Sequence, residues 1–365
     1  KRRRTLMMPL MRPARQSGLS LMILAALCAT VLIIDVLAHR VPVIENHVAA
    51  ELEKQRTQNG RLMYDAGYQD DGDYVLIDQI PNDDFSRGGV YFIGASEMKI
   101  TLMPWLMSAD EKRLIHNYSL GDLRHGEVRN YLKMLIDEDG LLKAGGGKTT
   151  IFLGASYQMT RHKDLKARPM DRYIENLFER HGFYEFDAQG GMHRAKMWPI
   201  DRYVRLERDR ISRFLSTAFF PESKVEVNPL KDQWKREHIL RVMVDDWQAS
   251  MATEVDELGK TIDYLQAQGV NVCVIYPPSG SWQKTLPYEA YYRDLMTKVL
   301  STRHVTVIDQ HDLLRDDDFI DFGHARYQGQ VKLHHAYMAL AYNALQKMGT
   351  PLRTEASKDA ARATD

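Results

Sequence analysis

Short runs of hydrophobic residues recur along the chain, and polar or glycine-containing stretches separate them. The clearest runs are Gly89–Ile93, 149–153, 270–276 and 305–308. Each has the length of a strand, and such near-continuous apolar character is typical of parallel strands buried on both faces. We therefore predict a parallel sheet in which residues 149–153 and 270–276 are interior strands.

Longer stretches with apolar residues every three or four positions lie between and after these runs. Residues 239–265 predict an amphipathic helix, residues 330–348 predict the last helix, and residues 43–66 predict a helix near the start. Strands that alternate with helices are typical of the α/β class. We expect residues 86–348 to form one doubly wound parallel sheet with helices on both faces.

Three intervals lack strand signals. Residues 163–235 are rich in Arg, Tyr and Phe, and we interpret them as a helical insertion within the α/β domain. Residues 39–85 are expected to form a membrane-proximal helical connector. Residues 349–365 are polar and small, which predicts a disordered tail.

The amino-terminal segment contains the longest apolar stretch. Residues 19–38 carry no charge before Asp35, and they follow a basic segment, residues 1–18, that has no acidic residue. About 20 apolar residues can cross a ~30 Å hydrocarbon layer, and positive charge stays on the cytoplasmic side. This pattern predicts a single-pass protein of the cytoplasmic membrane, with a large extracytoplasmic domain that is periplasmic or on the cell surface. A cleaved signal peptide is the alternative, because Val36 and Ala38 fit a loose cleavage pattern.

The charge and cysteine content exclude some classes of protein. Lys plus Arg (49) equals Asp plus Glu (49), and a neutral balance argues against a dedicated nucleic-acid binder. Cys28 lies in the apolar stretch, which argues against a disulfide with Cys273. No histidine pair has HExxH spacing, and the glycine run 145–149 has Leu142 where a phosphate loop needs glycine. We predict no metal and no other cofactor.

A candidate nucleophile follows the first predicted strand. Ser96 stands in the tetrapeptide 94–97 (GASE), and active sites of doubly wound sheets lie at the carboxyl ends of strands. A serine needs a base to take its proton. Asp321 and His324 lie three residues apart near the carboxyl terminus, so they could supply an orienting carboxylate and that base. The spacing alone also allows Ser96 to be a helix cap and Asp321 a turn residue.

Two further segments fit strand ends of the same sheet. Residues 117–121 (NYSLG) come at the distance expected for a second strand end, and Pro277-Pro278 end another strand shortly before Trp282. Together these features resemble the SGNH/GDSL hydrolase superfamily and, within it, the DltD family (the D-alanyl-lipoteichoic acid biosynthesis protein D group).

The resemblance covers residues 89–348, although residues 163–235 match only in helical character. The tetrapeptide 94–97 matches the Gly-Ser-Ser-Glu-like motif of the family except at its second position. Asp321 and His324 fall on the terminal Asp-x-x-His of the superfamily, and Gly329 falls on a glycine past that histidine. The resemblance implies an SGNH-like (flavodoxin-like) fold with a Ser-His-Asp triad.

One block of the superfamily is missing. The Gly-x-Asn-Asp block, whose Asn helps to form the oxyanion hole, is replaced by residues 154–157 (GASY). The backbone amide of Gly121 can still fill one oxyanion position. The residues expected at the oxyanion hole or the substrate are Gly121, Ser156, Glu97, Pro278 and Trp282.

The resemblance also implies a function. DltD-like proteins work beside a polytopic membrane-bound O-acyltransferase (MBOAT), which implies transfer of a D-alanyl or acetyl group to an extracytoplasmic glycopolymer. The acyl donor would be delivered across the membrane, Ser96 would carry the acyl group, His324 would act as base and Asp321 would orient it. Two alternatives remain open: an esterase or thioesterase that hydrolyses the same ester, and a non-catalytic partner that docks on the MBOAT and positions the polymer.

Overall fold

The structure is a computed structural model that describes residues 14–40, 76, 80–121, 123–160, 184–189, 191–196, 198, 246–319 and 323–350. The strands are β1 (Gly89–Ile93), β2 (Ile115–Asn117), β3 (Thr149–Gly154), β4 (Tyr184–Phe186), β5 (Met192–Arg194), β6 (Asn271–Tyr276) and β7 (Thr306–Asp309). The α-helices are α1 (Ala14–Arg40), α2 (Ser96–Lys99), α3 (Ala109–Leu114), α4 (His125–Asp137), α5 (Trp247–Ala267), α6 (Ser281–Lys284), α7 (Pro287–Ser301) and α8 (Tyr327–Lys347).

Five strands form one parallel sheet in the order β2-β1-β3-β6-β7. When only the five strands of this sheet are numbered along the chain, their order is 2-1-3-4-5, which is the flavodoxin-like order. Strands β3 and β6 are interior, as the sequence predicts. The order reverses between β1 and β3, and in such sheets this switch point is where ligands bind.

Alternate residues of β1, β3 and β6 enter two separate hydrophobic cores, whereas the edge strand β7 is mostly exposed. Tyr91 and Ile93 of β1 face a core formed with α4, α5 and α7, whereas Val90 and Phe92 face a core formed with α2, α3 and α8. The ring of Phe92 stacks on that of Phe152 in β3, with centroids 4.8 Å apart. Burial on both faces explains why the strands read as continuous apolar runs.

The helices that the sequence predicts lie close to their expected positions. Helix α5 begins at Trp247 and α8 spans Tyr327–Lys347. The predicted residues 239–245 and 43–66, and the tail from residue 351, lie outside the described residues. The domain begins by residue 80, earlier than the predicted boundary at 86, because Ile80 and Phe85 are already buried in the core.

The predicted helical insertion is wrong for part of its length. Strands β4 and β5 pair antiparallel, with Tyr184 opposite Arg194 and Phe186 opposite Met192. Between them the Asp187 carboxylate accepts the backbone amides of Gln189 and Gly191 at 2.9 and 2.7 Å, which closes the turn. Aromatic residues followed by an Asp-to-Gly turn favour a hairpin, and this local signal outweighs the surrounding helical character.

The amino-terminal helix α1 presents apolar side chains to its surroundings. Leu21, Leu24 and Ile33 are each more than half exposed. Within the part of the chain that the structure describes, no helix qualifies as a membrane span by length and apolar character.

Candidate active site at the carboxyl edge of the sheet

Ser96 and His324 meet at the carboxyl edge of the parallel sheet. Ser96 follows β1 and His324 precedes α8, yet the Oγ of Ser96 and the Nε2 of His324 are 2.8 Å apart. Both side chains are partly exposed, so a ligand can reach them. The predicted contact between these two residues is confirmed. Asp321, the third predicted member of the triad, lies outside the described residues.

Two glycines allow Ser96 to sit directly above the strand ends. A Cβ at Gly94 would lie 2.5 Å from Cγ of Met98, and one at Gly154 would lie 2.2 Å from the same atom. Glycine directly after β1 and glycine at the end of β3 therefore allow helix α2 to turn back over these strand ends. Ala95 is the N-cap of this helix, and Ser96 is its first residue and is partly exposed.

Asn117 fixes the other end of α2. Its Nδ2 donates to the carbonyl oxygens of Met98 at 2.8 Å and Lys99 at 3.1 Å, while its Oδ1 accepts the backbone amide of Ser119 at 3.1 Å. The side chain thus ties α2 to the loop after β2. The sequence marked residue 117 as a strand end, but nothing in its spacing indicated this bracing role.

Residues 319–325, here named the histidine loop because they include His324, are closed at the base. Phe319 and Ala325 form an antiparallel bridge, and the backbone amide of Arg326 donates to the Asp318 carbonyl at 2.6 Å. The Gly329 position needs glycine because a Cβ there would lie 2.6 Å from that same carbonyl oxygen. Gly329, which follows His324 by five residues, therefore leaves room for the Asp318 carbonyl at the base of the loop.

Three buried glutamines surround this loop. Nε2 of Gln158 donates to Oε1 of Gln283 at 3.2 Å, and a Cβ at Gly323 would lie 3.2 and 3.7 Å from the Nε2 atoms of these two residues. Gln330 donates its Nε2 to the Ala325 carbonyl at 2.9 Å. The sequence does not predict a role for any of the three, since an isolated glutamine carries no pattern that distinguishes a buried side chain from a surface one.

Glu97 and Ser156 lie together beside the nucleophile. The Oγ of Ser156 donates to Oε1 of Glu97 at 3.3 Å, and Glu97 is only 7 % exposed. The contact joins the loop after β3 to the first turn of α2, across the switch point. The hydroxyl proton of Ser156 is therefore directed to a carboxylate.

The remaining predicted residues occupy the same edge of the sheet. Gly121 lies in a buried turn after β2, directly after Leu120, whose amide donates to the Gly94 carbonyl at 3.0 Å. Pro278 is buried two residues after β6, and Trp282 belongs to α6. The distances that the structure gives join Ser96 to His324 and Glu97 to Ser156.

The Ser96–His324 pair has the geometry of a nucleophile and its base. A serine oxygen within hydrogen-bonding distance of an imidazole nitrogen can lose its proton to that nitrogen as it attacks a carbonyl. For Nε2 to accept this proton, the neutral ring must carry its own proton on Nδ1. The arrangement is therefore suited to acyl transfer to or from a serine oxygen.

Comparisons with known proteins add little to this geometry. A model of an uncharacterised domain family matches residues 213–346, which is less than half of the chain. The match includes α5, β6, β7 and His324 and excludes Ser96. No curated protein matches the chain significantly.

Proposed function

We propose that the protein is an SGNH-like acyltransferase that uses Ser96 as its nucleophile and His324 as its base. The observation that carries this proposal is the 2.8 Å contact between Ser96 Oγ and His324 Nε2, at the switch point of a flavodoxin-like sheet. Residues more than two hundred positions apart come together there. The DltD-like sequence motifs at the same two positions support the same reading.

The chemistry has two balanced steps. Ser96 Oγ attacks the acyl carbonyl of a donor ester or thioester while its proton passes to His324 Nε2. The imidazolium then returns the proton to the leaving group, and an acyl-serine ester remains. In the second step an acceptor hydroxyl gives its proton to His324 and attacks the ester, so Ser96 departs and recovers a proton. In this proposal Asp321 orients the imidazole and the Gly121 amide stabilises the oxyanion.

The setting of the reaction is part of the proposal. The apolar stretch of residues 19–38 and the basic segment before it support a membrane anchor with the α/β domain outside the cytoplasm. The resemblance supports an extracytoplasmic glycopolymer as acceptor, a D-alanyl or acetyl group as cargo, and a polytopic MBOAT as partner. An outer domain cannot reach a cytoplasmic acyl donor, so a partner that brings acyl groups across the membrane fits the proposed topology.

The first experiment tests the nucleophile. Membranes that contain the full chain are treated with a fluorophosphonate, which forms a covalent bond with activated serine and releases fluoride. Labelling is expected for the native chain and absent for Ser96→Ala. Ser86→Ala is the matched control, because Ser86 is an exposed serine bonded only to Asp84 among the described contacts. Equal labelling of the native chain and Ser96→Ala would contradict the proposal.

The second experiment separates transfer from hydrolysis. The chain and a co-expressed MBOAT are supplied with an acyl donor, with and without acceptor polymer, and the products are analysed. An O-acylated polymer that disappears with Ser96→Ala supports the acyltransferase. Free acid in equal amounts with and without polymer would identify an esterase. A native chain that never enters the complex with the MBOAT would contradict the proposed partner.

One observation favours a non-catalytic alternative. The Ser156 hydroxyl, at the position where the superfamily carries its oxyanion Asn, donates to Glu97. A site without that donor stabilises an oxyanion less well, and a partner that only positions polymer for an MBOAT would need no such donor. Polymer acylation that persists at the native rate in Ser96→Ala would select this alternative.

A further inference from the structure

We propose that Gln158, Gln283 and Gln330, here named the amide brace, position the imidazole of His324 for its contact with Ser96. These residues come from three separate parts of the chain. Gln158 and Gln283 lie against Gly323, and Gln330 donates to the Ala325 carbonyl. The inference rests on the proposed role of His324 as base. None of the three is proposed to contact substrate.

The first half of the brace lies on the amino side of His324. Gln158 and Gln283 are 7 % and 1 % exposed, and their amides are joined by the 3.2 Å bond from Nε2 to Oε1. Both amides lie against Gly323, where even a methyl group would come within 3.2 Å of the Gln158 nitrogen. The residue directly before His324 is thus held against a rigid polar surface that links the ends of β3 and β6.

The second half lies on the carboxyl side of His324. Gln330 is 2 % exposed and belongs to the first turn of α8, and its Nε2 holds the Ala325 carbonyl at 2.9 Å. Ala325 is also the residue that pairs with Phe319 at the base of the loop. Contacts on Gly323 and Ala325 leave the backbone of His324 little freedom to rotate.

A positioning role explains why these buried side chains are amides. Burying an amide costs free energy unless its hydrogen bonds are satisfied, so buried leucine would be the cheaper choice for packing alone. A buried amide is favoured where its hydrogen bonds hold a neighbouring group in place. This matters for a catalytic group, because a displacement of 1 Å can lower the rate about a hundredfold. We therefore expect the amide brace to position the loop that carries His324, and not only to fill space beside it.

The test uses a single and a double substitution. Gln158→Leu leaves the buried Oε1 of Gln283 without that donor, which lowers both stability and positioning. Gln158→Leu with Gln283→Leu removes both ends of this bond, and replacing both ends of a buried hydrogen bond by apolar groups costs less stability than leaving one end unsatisfied. Gln266→Leu is the control, since Gln266 is a partly exposed residue of α5 that donates to the His304 carbonyl at 3.0 Å.

Two readouts are made on the full chain. Nuclear magnetic resonance of ¹⁵N-labelled histidine reports which ring nitrogen of His324 carries the proton, and fluorophosphonate labelling reports the reactivity of Ser96. We expect one Nδ1–H tautomer in the native chain and a mixture in both variants. We also expect labelling to fall about tenfold or more in both, even though the melting temperature recovers in the double variant. The control should match the native chain in both readouts.

The outcomes separate the inference from the proposed function. A tautomer state and labelling rate that recover together with stability in the double variant would overturn the brace, because they would indicate packing alone. Unchanged readouts in both variants would also overturn it. If the native chain is not labelled while the tautomer still shifts in both variants, the brace holds and the nucleophile fails.

Discussion

Two groups of ionisable and polar side chains in this domain are built in opposite ways. At the carboxyl edge of the sheet, Ser96 and His324 are partly exposed. At the start of α4, Arg124 and Glu254 are 3 % and 1 % exposed, with Nη1 of Arg124 3.7 Å from Oε1 of Glu254. We call Arg124, Glu127 and Glu254 the buried ion cluster. Both groups join distant parts of the chain, but only the first can meet a ligand.

The difference shows how burial assigns a role to a charged or titratable group. In the buried ion cluster, Nη2 of Arg124 contacts Oε1 of Glu127 at 2.9 Å, and Oε2 of Glu254 accepts the Gly126 amide at 2.7 Å. Its polar atoms are directed at one another and at the first turn of α4, so it holds helices α4 and α5 together. The side chains of Ser96 and His324 are less buried, and their reactive atoms are accessible. Substitutions in the two groups should therefore affect different properties.

The largest effect should come from His324→Gln. Loss of the base should lower fluorophosphonate labelling of Ser96 by on the order of 10³-fold or more, while the free energy of unfolding changes by less than about 1 kcal/mol. Labelling rates and chemical denaturation of the full chain are the two measurements. A variant that loses several kcal/mol of stability would show that the site also holds the fold, and the contrast between the two groups would then fail.

Arg124→Met should do the reverse. Removing the cation leaves two carboxylates buried without that partner, which typically costs 3–5 kcal/mol. The fraction of molecules that remain folded should label at about the native rate, because the cluster touches neither Ser96 nor His324 in the described contacts. The check is a denaturation curve combined with labelling normalised to folded protein. A large drop in normalised labelling would indicate that the cluster is coupled to the site.

Glu254→Gln should change the pH dependence of stability. Burial raises the pKa of the Glu254 carboxyl to about 7, although Arg124 lowers it. An acid with a raised pKa stabilises the fold below its unfolded value, about 4.3, and this contribution is lost as pH rises through 7. Relative to the native chain, the variant should therefore gain on the order of 3 kcal/mol between pH 4 and pH 8. Parallel stability curves for the two chains would contradict the pKa shift.

The smallest effect is expected for Gly154→Ala. The added methyl group would meet Met98 Cγ at 2.2 Å, and overpacking of this kind typically costs 1–3 kcal/mol. Adding Met98→Ala should restore room, so the two changes together should cost less than their sum. A double-mutant cycle of unfolding free energies measures this coupling. Strict additivity would show that α2 does not rest on the strand ends.

Most of the sheet could be predicted from the sequence because β1, β3, β6 and β7 coincide with apolar runs, whereas the three-residue strand β2 carries no such run. Residues 149–153 and 270–276 are apolar at nearly every position, and burial on both faces requires this. The Ser96–His324 contact was predictable because strand ends of a parallel sheet share one edge. The hairpin of β4 and β5 was missed, since its signal spans only a few residues within a segment of helical composition.

The bracing residues of the site could not be predicted. Asn117 and Gln158 act through side-chain hydrogen bonds to groups 19 and 125 positions away, and Gln330 acts through one bond to the Ala325 carbonyl. Hydrophobic periodicity carries no information on such bonds, because the pattern around a single polar residue does not show whether its side chain is buried or exposed. The third predicted member of the triad, Asp321, stays a prediction.

The pairing of β3 with β6 has a consequence for how the chain folds. Gly154 pairs with Ile275, and residues 155–270, which include the β4–β5 hairpin, lie in the crossover between the two strands. Loop-closure entropy grows slowly with length, by about 0.6 kcal/mol for each doubling, so residues added to this crossover outside the β4–β5 hairpin and α5 should cost little at equilibrium. Contacts between such distant segments slow folding much more than they affect stability. The rate at which β3 and β6 pair should therefore limit the refolding rate of the domain.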